Sequence, residues 1–466
     1  HNILQNYSLK LFQDTSPYLS TVKTSNKIFL LKNNNNNFLN EEEENFLRSI
    51  KFFDRDSNYY VFRGKQKTNV KVVIFSFDQC SKKIGEIISK LPKGNYSLDT
   101  ETFRNIADDV IHSFLLSSYS FDFFKKRSKS KVSLNCSQKK FQRAIVLAKA
   151  EYLVRNMVNM PANFFNTQQL ADICKDFEKI PNVSVKETVD NSILKKRFPL
   201  VHAVGRASIN KPRFVEIKWK NKPNFPEIVL VGKGVCFDSG GLNLKINSSI
   251  LLMKKDMAGS ANALALAYLI IKLKLKFNLS VLIPIVENSI SENSFRPGDI
   301  LESRKGLTIE VTNTDAEGRL ILADALAYAD EKFPKMVISL ATLTGAARVA
   351  LGSDIAPFFS TNNEVSKKLV ALGEKHKDFV WPLPFFDGYN KQLESPIADL
   401  INAPYSPPTA GAVTAGLFLK KFVDNAKEFL HFDIYAWQNS SEPGKTKGGK
   451  MQAVRALIEF LVSYQK

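Results

Sequence analysis

A chain of 466 residues has room for two domains and a possible third, each with its own core. With 44 % apolar and 24 % charged residues it reads as a soluble globular protein. No apolar run of about 18 residues suggests a membrane span, and the opening "HNILQNYSLKLF" lacks the layout of a signal peptide. The net charge of +19 would suit an acidic partner such as nucleic acid. The lysines are dispersed, however, and no nucleic-acid-binding signature accompanies them, so solvated basic faces are the favoured reading.

The first 140 or so residues carry no clustered chemistry. "LKNNNNNFLNEEEENFL" (31–47) reads as a solvated loop running into a helix, and "KKRSKSK" (125–131) as a surface loop. Short β-like runs, "NYYVFRG" and "KVVIFSF", precede a helical stretch with apolar Ile106, Val110, Phe114 and Leu115. This part is expected to be a smaller α/β domain, residues 1–145, with an assembly or regulatory role. A long helical pattern at about 141–160 connects it to residues 146–466, and Pro161 should end that helix.

Beyond it, strands and helices alternate. Residues 227–237, 279–288, 307–313 and 336–342 read as strands, and 257–275 and 319–333 as helices. The expected architecture is α/β: a central mixed sheet covered by helices, with ligands at the carboxyl ends of its strands. The four cysteines are far apart and form no C-x-x-C pair, which reads as reduced thiols in a cytoplasm. The five histidines show no zinc spacing, so any metal site must use other ligands.

Three segments place acids and lysines in glycine-rich or apolar surroundings just after strands. "VGKGVCFDSGGLNLK" carries Lys233, Asp238 and Lys245, "LLMKKDMAGSANAL" carries Asp256, and "VTNTDAEGRLILADAL" carries Asp315, Glu317 and Arg319. Taken singly, each has a structural explanation, and Asp256 just before a helix suits an N-cap. Taken together they do not, because carboxylates buried side by side raise one another's pKa and call for cations. Hard or borderline divalent ions suit such oxygen-rich surroundings. Asp315 and Glu317 are two apart, so in an extended segment both would point the same way.

These segments resemble the leucine aminopeptidase (cytosol aminopeptidase) family of two-metal exopeptidases, and "NTDAEGRLILADAL" is close to its signature. Further matches lie in "VRNMVNMPAN", "FRPGDIL", "SLATLTGAARVALG" and "HFDIYAW", so the resemblance spans about residues 145–466. It implies one metal held by Lys233, Asp238, Asp256 and Glu317, and a second held by Asp238, Asp315 and Glu317. It implies catalytic roles for Lys245 and Arg319, and a first-residue pocket lined by Met253, Thr342 and Gly345. Manganese or zinc, with magnesium or cobalt as further candidates, and a bicarbonate general base at Arg319 would be the cofactors. Peptides with a free N-terminus, leucine or another apolar residue first, would be the substrates of a cytoplasmic homohexamer. An additional or replacing DNA-binding role is the less favoured alternative. Two departures from the family pattern stand out: Ala258 and Ser260 after Asp256-Met257, and the polar Asn243 beside Lys245.

Overall fold

The computed structural model describes residues 15–31, 37–64, 69–125, 130–405 and 409–465. The N-terminal dodecapeptide, positions 32–36 with most of the asparagine run, and positions 126–129 of the basic loop fall outside them. The described chain divides into two compact units. The smaller takes in the described residues up to Tyr152 together with Gln438–Lys447, and the larger takes in Leu153–Trp437 and the chain from Gly448 onward. The division between Tyr152 and Leu153 falls inside the helix Gln142–Asn159. Recruitment of ten residues from near the C-terminus into the smaller unit leaves no mark in the sequence.

The smaller unit is built on six strands: β1 (Leu19–Ser20), β2 (Lys27–Leu31), β3 (Asn58–Arg63), β4 (Val70–Phe75), β5 (Gly94–Leu98) and β6 (Val132–Asn135). Their order is β1-β6-β5-β2-β4-β3, parallel except where β3 runs against β4. Ile28 and Leu30 of β2, with Val72 and Ile74 of β4, face a core under the helices Ser81–Ser89 and Ala107–Ser118. Those helices touch backbone to backbone, since a Cβ on Gly85 would lie 2.5 Å from the Phe114 nitrogen. Alternate residues Leu31, Val73 and Phe75 point to a second core that contains Leu47 of the helix Glu41–Ser49. Asn40 starts that helix in a reciprocal capping box with Glu43.

The larger unit has a mixed sheet of nine strands: β7 (Val183–Thr188), β8 (Arg213–Trp219), β9 (Glu227–Gly232), β10 (Gly234–Asp238), β11 (Asn278–Asn288), and, further along, β14 (Met336–Ala341), β15 (Ala356–Ser360), β16 (Val380–Pro382) and β18 (Phe429–Asp433). The order is β16-β15-β18-β14-β9-β11-β8-β7, with β10 also paired to β11. The three strands between, β12 (Ile300–Glu302), β13 (Thr308–Glu310) and β17 (Leu400–Ile401), form a separate small sheet. Val229 and Val231 of β9 join the core beneath the helix Glu317–Asp330, while the helix Ala258–Lys272 packs on β9 and β14. Nearly every residue of both helices is buried, which is why their sequences are apolar all round and rich in alanine. No helix among the described residues is long and apolar enough to cross a membrane.

Two elements differ from the sequence reading. The single strand expected over 227–237 is broken at Lys233, whose N–H bonds to the Leu340 carbonyl and whose carbonyl accepts from Ser260 N. The flanking glycines are required there: a Cβ on Gly232 would meet Ser260 Cα at 2.6 Å, and one on Gly234 would meet the Pro284 carbonyl at 2.6 Å. The helix expected from 257 is preceded by a 3-10 helix, Asn247–Met257, which carries Met253 and Asp256.

Candidate active site

The chemistry-bearing residues gather where strands of the larger sheet end. Lys233 interrupts the line of β9 and β10, Asp238 closes β10, Thr342 follows β14, and Asp433 closes β18. Asp315 lies in the turn before the helix that Glu317 opens, so the two acids are not on one extended segment as their spacing suggested. They converge nonetheless: one carboxylate oxygen each from Asp238, Asp315 and Glu317 lie within 4.8 Å of one another. Asp256 is no helix cap. Met257 occupies the N-cap position of Ala258–Lys272, and Asp256 Oδ1 accepts from Lys233 Nζ at 2.9 Å and Thr342 Oγ1 at 2.8 Å.

Two lysines divide the acids between them. Lys233 Nζ lies 2.9 Å from Asp256 Oδ2 and 3.0 Å from Glu317 Oε1, and donates to the Thr342 carbonyl at 2.9 Å. Gly318 makes room for it, since a Cβ there would come within 2.5 Å of Lys233 Cε. Lys245 Nζ lies 3.0 Å from Asp238 Oδ2 and 2.5 Å from Asp315 Oδ1. Four buried or half-buried carboxylates thus share two ammonium groups, and the imbalance shows in their protonation. Burial, reinforced by Asp238, pushes Asp315 up to about 7 and Glu317 well above the usual carboxylate range. Burial raises Asp256 as well. For Lys233, burial opposes the charge, but Asp256, Glu317 and Asp238 outweigh it and hold the amine above its ordinary value.

The two acidic loops are fastened by neutral side chains. Asn243 Oδ1 accepts from Thr314 N at 2.8 Å, and the Asn243 N–H donates to Thr314 Oγ1 at 2.8 Å. Thr314 Oγ1 also donates to the Gly240 carbonyl, and Asn288 Nδ2 bridges Asp238 Oδ1 and the Thr314 carbonyl. The departure at Asn243 therefore ties the Asp238–Lys245 loop to the Asp315 turn. Ser260, the other departure, is fully buried and turns its hydroxyl onto the Met257 carbonyl. Asn402 secures the far side of the turn through Thr312, Asn313 and Ala316, and its own carbonyl accepts from Arg319 Nη1 at 2.8 Å. Arg319 Nε is buried without a partner. Burial draws the guanidinium down to about 10, against the pull of Asp433 and Glu317.

Lys233, Asp238, Lys245, Met253, Asp256, Asp315, Arg319, Thr342 and Gly345 all line one cavity of about 580 Å³, with Glu317 directly behind Lys233. All ten residues singled out in the sequence are thus brought together. Other lining residues were missed. Asp433 accepts from the Leu343 and Thr344 N–H groups and from Thr344 Oγ1, and burial pushes it up to about 6. Lys255 is buried, drawn down to about 8 by desolvation, and donates to the Tyr435 carbonyl. The available signal was "HFDIYAW", a family-like segment to which no role had been attached. His431, from the same segment, packs in β18 with Nδ1 2.8 Å from Ser339 Oγ. Cys236 is a buried β10 residue whose thiol is raised by desolvation.

The cytosol aminopeptidase family, catalytic domain, matches residues 152–458. A protein named probable cytosol aminopeptidase from Rickettsia canadensis is 35 % identical over 401 residues, 83 % of this chain and 80 % of that one. One of the same name from Chlamydia abortus is 40 % identical over 319 residues, 67 % of this chain and 63 % of its own. The crystal structure of the cytosol aminopeptidase from Coxiella burnetii superposes with a TM-score of 0.90 at 35 % identity, covering 97 % of this chain and all of that one. The chain belongs to the cytosol aminopeptidase family. It is accordingly a metal-dependent aminopeptidase of the hydrolase class. The bottromycin maturation enzyme BotP in complex with Mn has the same fold, with a TM-score of 0.82 at 25 % identity and 95 % of this chain covered.

The aminopeptidase's acid cluster fits divalent metal on its own geometry. Asp256 Oδ2, Asp315 Oδ1 and Glu317 Oε1 are buried yet receive no well-directed hydrogen bond, although a lysine nitrogen lies near each. Buried acceptors left in this way cost about 1–3 kcal/mol each, and more when charged. Cations bound among them would remove that cost, and the donors are hard oxygens of the kind that Mg²⁺, Mn²⁺ and Zn²⁺ accept.

Proposed function

We propose that the aminopeptidase binds two divalent ions, one among Lys233, Asp238, Asp256 and Glu317 and the other among Asp238, Asp315 and Glu317. The reading is supported above all by the convergence of four carboxylates, two lysines and an unpartnered arginine nitrogen on one cavity. When bound, such a pair lowers the pKa of water and polarises a carbonyl. Lys233 must shed its proton before its nitrogen can serve as a ligand, and bound cations would drive that loss by opposing the three carboxylates that now retain it. Lys245 keeps its proton and turns the ammonium toward the oxygen on which negative charge develops. Arg319, with Nε free and Nη1 anchored on the Asn402 carbonyl, holds a small anion, for which bicarbonate acting as general base is the candidate. The free α-amine of the substrate would bind at the metal-loaded cluster, which would confine cleavage to the first residue. Met253, Thr342 and Gly345 receive its side chain, with leucine or another apolar residue preferred.

The test is release of leucine from a Leu-peptide after chelation and re-addition of Mn²⁺, Zn²⁺, Mg²⁺ or Co²⁺. Activity should return with metal, vanish in Glu317→Gln and be absent on the N-acetylated peptide. A folded protein inactive with every metal would refute the reading. The homohexameric state and cytoplasmic location expected from the family resemblance are checked by light scattering and cell fractionation. An assembly or regulatory role for the smaller domain is part of the same reading.

A further inference from the structure

One stretch of the cavity wall is basic. Lys255 Nζ lies 4.5 Å from the centroid of the Tyr435 ring and Arg348 Cζ lies 5.0 Å from it, and all three residues line the cavity that contains Met253, Thr342 and Gly345. Lys255 is buried and donates to the Tyr435 carbonyl at 2.9 Å, while Arg348 is exposed on the helix Gly345–Leu351. Among the described residues neither cation has a carboxylate within 4 Å, whereas Arg213, Arg296 and Arg304 each have one. Two like charges are therefore held over one aromatic ring at the edge of a cavity whose other acids are committed elsewhere. Attraction of each cation to the ring offsets part of their repulsion. Arg348 is exposed, and its fork of donors can be turned to an anion.

We propose that the wall formed by Lys255, Tyr435 and Arg348 receives a carboxylate of the incoming peptide beyond its first residue, making free dipeptides and peptides with an acidic second residue preferred substrates. This deepens the aminopeptidase reading and rests on it. The two regions of the cavity would act together: the metal-loaded cluster would take the substrate's α-amine as a ligand, and the basic wall attracts the carboxylate, which fixes the direction in which a peptide enters. With an apolar first residue in its pocket, the carboxylate comes from the second side chain or from the C-terminus of a dipeptide.

Four substrates separate these sources: Leu-Ala-amide, which has no carboxylate, Glu-Ala-amide, whose carboxylate is in the first side chain, Leu-Glu-amide and free Leu-Ala. In the metal-loaded protein at least one of the last two should exceed Leu-Ala-amide in kcat/KM by about tenfold, the effect of one charge-assisted hydrogen bond, whereas Glu-Ala-amide should not. Arg348→Gln should bring that ratio close to one, mainly through KM, and Lys255→Met should reduce it as well. High salt should reduce it in the wild type, because Arg348 is exposed. Equal rates on all four substrates, or a ratio that survives Arg348→Gln, would overturn the proposal and leave the wall as cation-on-ring packing. Failure to cleave any of the four would instead refute the aminopeptidase reading beneath it.

Discussion

The two halves of the acid cluster are held by different means. Around Lys233 everything is buried: the residue is 2 % exposed, its partners Asp256 and Glu317 4 % and 1 %, and the positions come from a broken strand, a 3-10 helix and the first residue of an internal helix. Around Lys245 the site is more open, with the side chain of Asp315 31 % exposed, and the geometry depends on loops joined by Asn243, Thr314 and Asn288. The same chemistry, a lysine between two carboxylates, is thus set by core packing in one half and by hydrogen bonds between loops in the other. Disturbing the first half should therefore register mainly in stability, and disturbing the second mainly in metal affinity and rate.

The sharpest test of this contrast is Lys233→Met in the metal-free protein. It leaves Asp256 and Glu317 buried without their cation, a loss expected to cost about 3–5 kcal/mol. Urea denaturation should show it as a lower midpoint with an unchanged slope. Lys245→Met should cost much less stability, because water reaches that half, but should lower kcat about 10²–10³-fold if the ammonium stabilises developing negative charge. An equal stability loss in the two variants would break the comparison.

Asn243→Ala comes next in size. It removes the acceptor for Thr314 N and loosens the turn that carries Asp315, so affinity for the more open metal position should fall about 10–100-fold. Calorimetric titration of metal into the chelated protein reads this without reference to turnover. Retention of both binding steps at wild-type affinity would show that the clamp is dispensable.

Much of this arrangement was legible in the sequence, for reasons that also explain what was not. The α/β alternation and the long connecting helix follow from period and punctuation, and the three acid-bearing segments stand out because charge in apolar surroundings needs a reason. Local pattern could not show that the strand through 227–237 breaks at Lys233, because the break is imposed by Ser260 and Leu340 from distant segments. Nor could it show that Asp315 and Glu317 meet across a turn and a helix start. Asn243 registered only as a departure from the family pattern, since its partner Thr314 is 71 positions away. Lys255, Arg348 and Tyr435 looked unrelated because only the cavity brings them together.

The buried half has one more anchor, and its pH dependence gives the smallest predicted effect. Asp324, fully buried on the Glu317–Asp330 helix, accepts from Leu200 N and from Arg304 N, fixing the helix against the start of Pro199–Gly205. Burial pushes its carboxyl up to about 7, against an ordinary value of 3.8. Between those values the folded chain keeps a proton that the unfolded chain releases, so this group's contribution to stability is greatest at low pH. It declines as pH rises toward about 7, then levels off. The slope is about 1 kcal/mol per pH unit for a single group. Asp324→Asn cannot titrate, so its stability deficit relative to wild type should be larger at pH 5 than at pH 8 by urea denaturation. A deficit that grows with pH would mean that Asp324 is charged in the folded protein, its bonds to Leu200 and Arg304 having overcome the cost of burial.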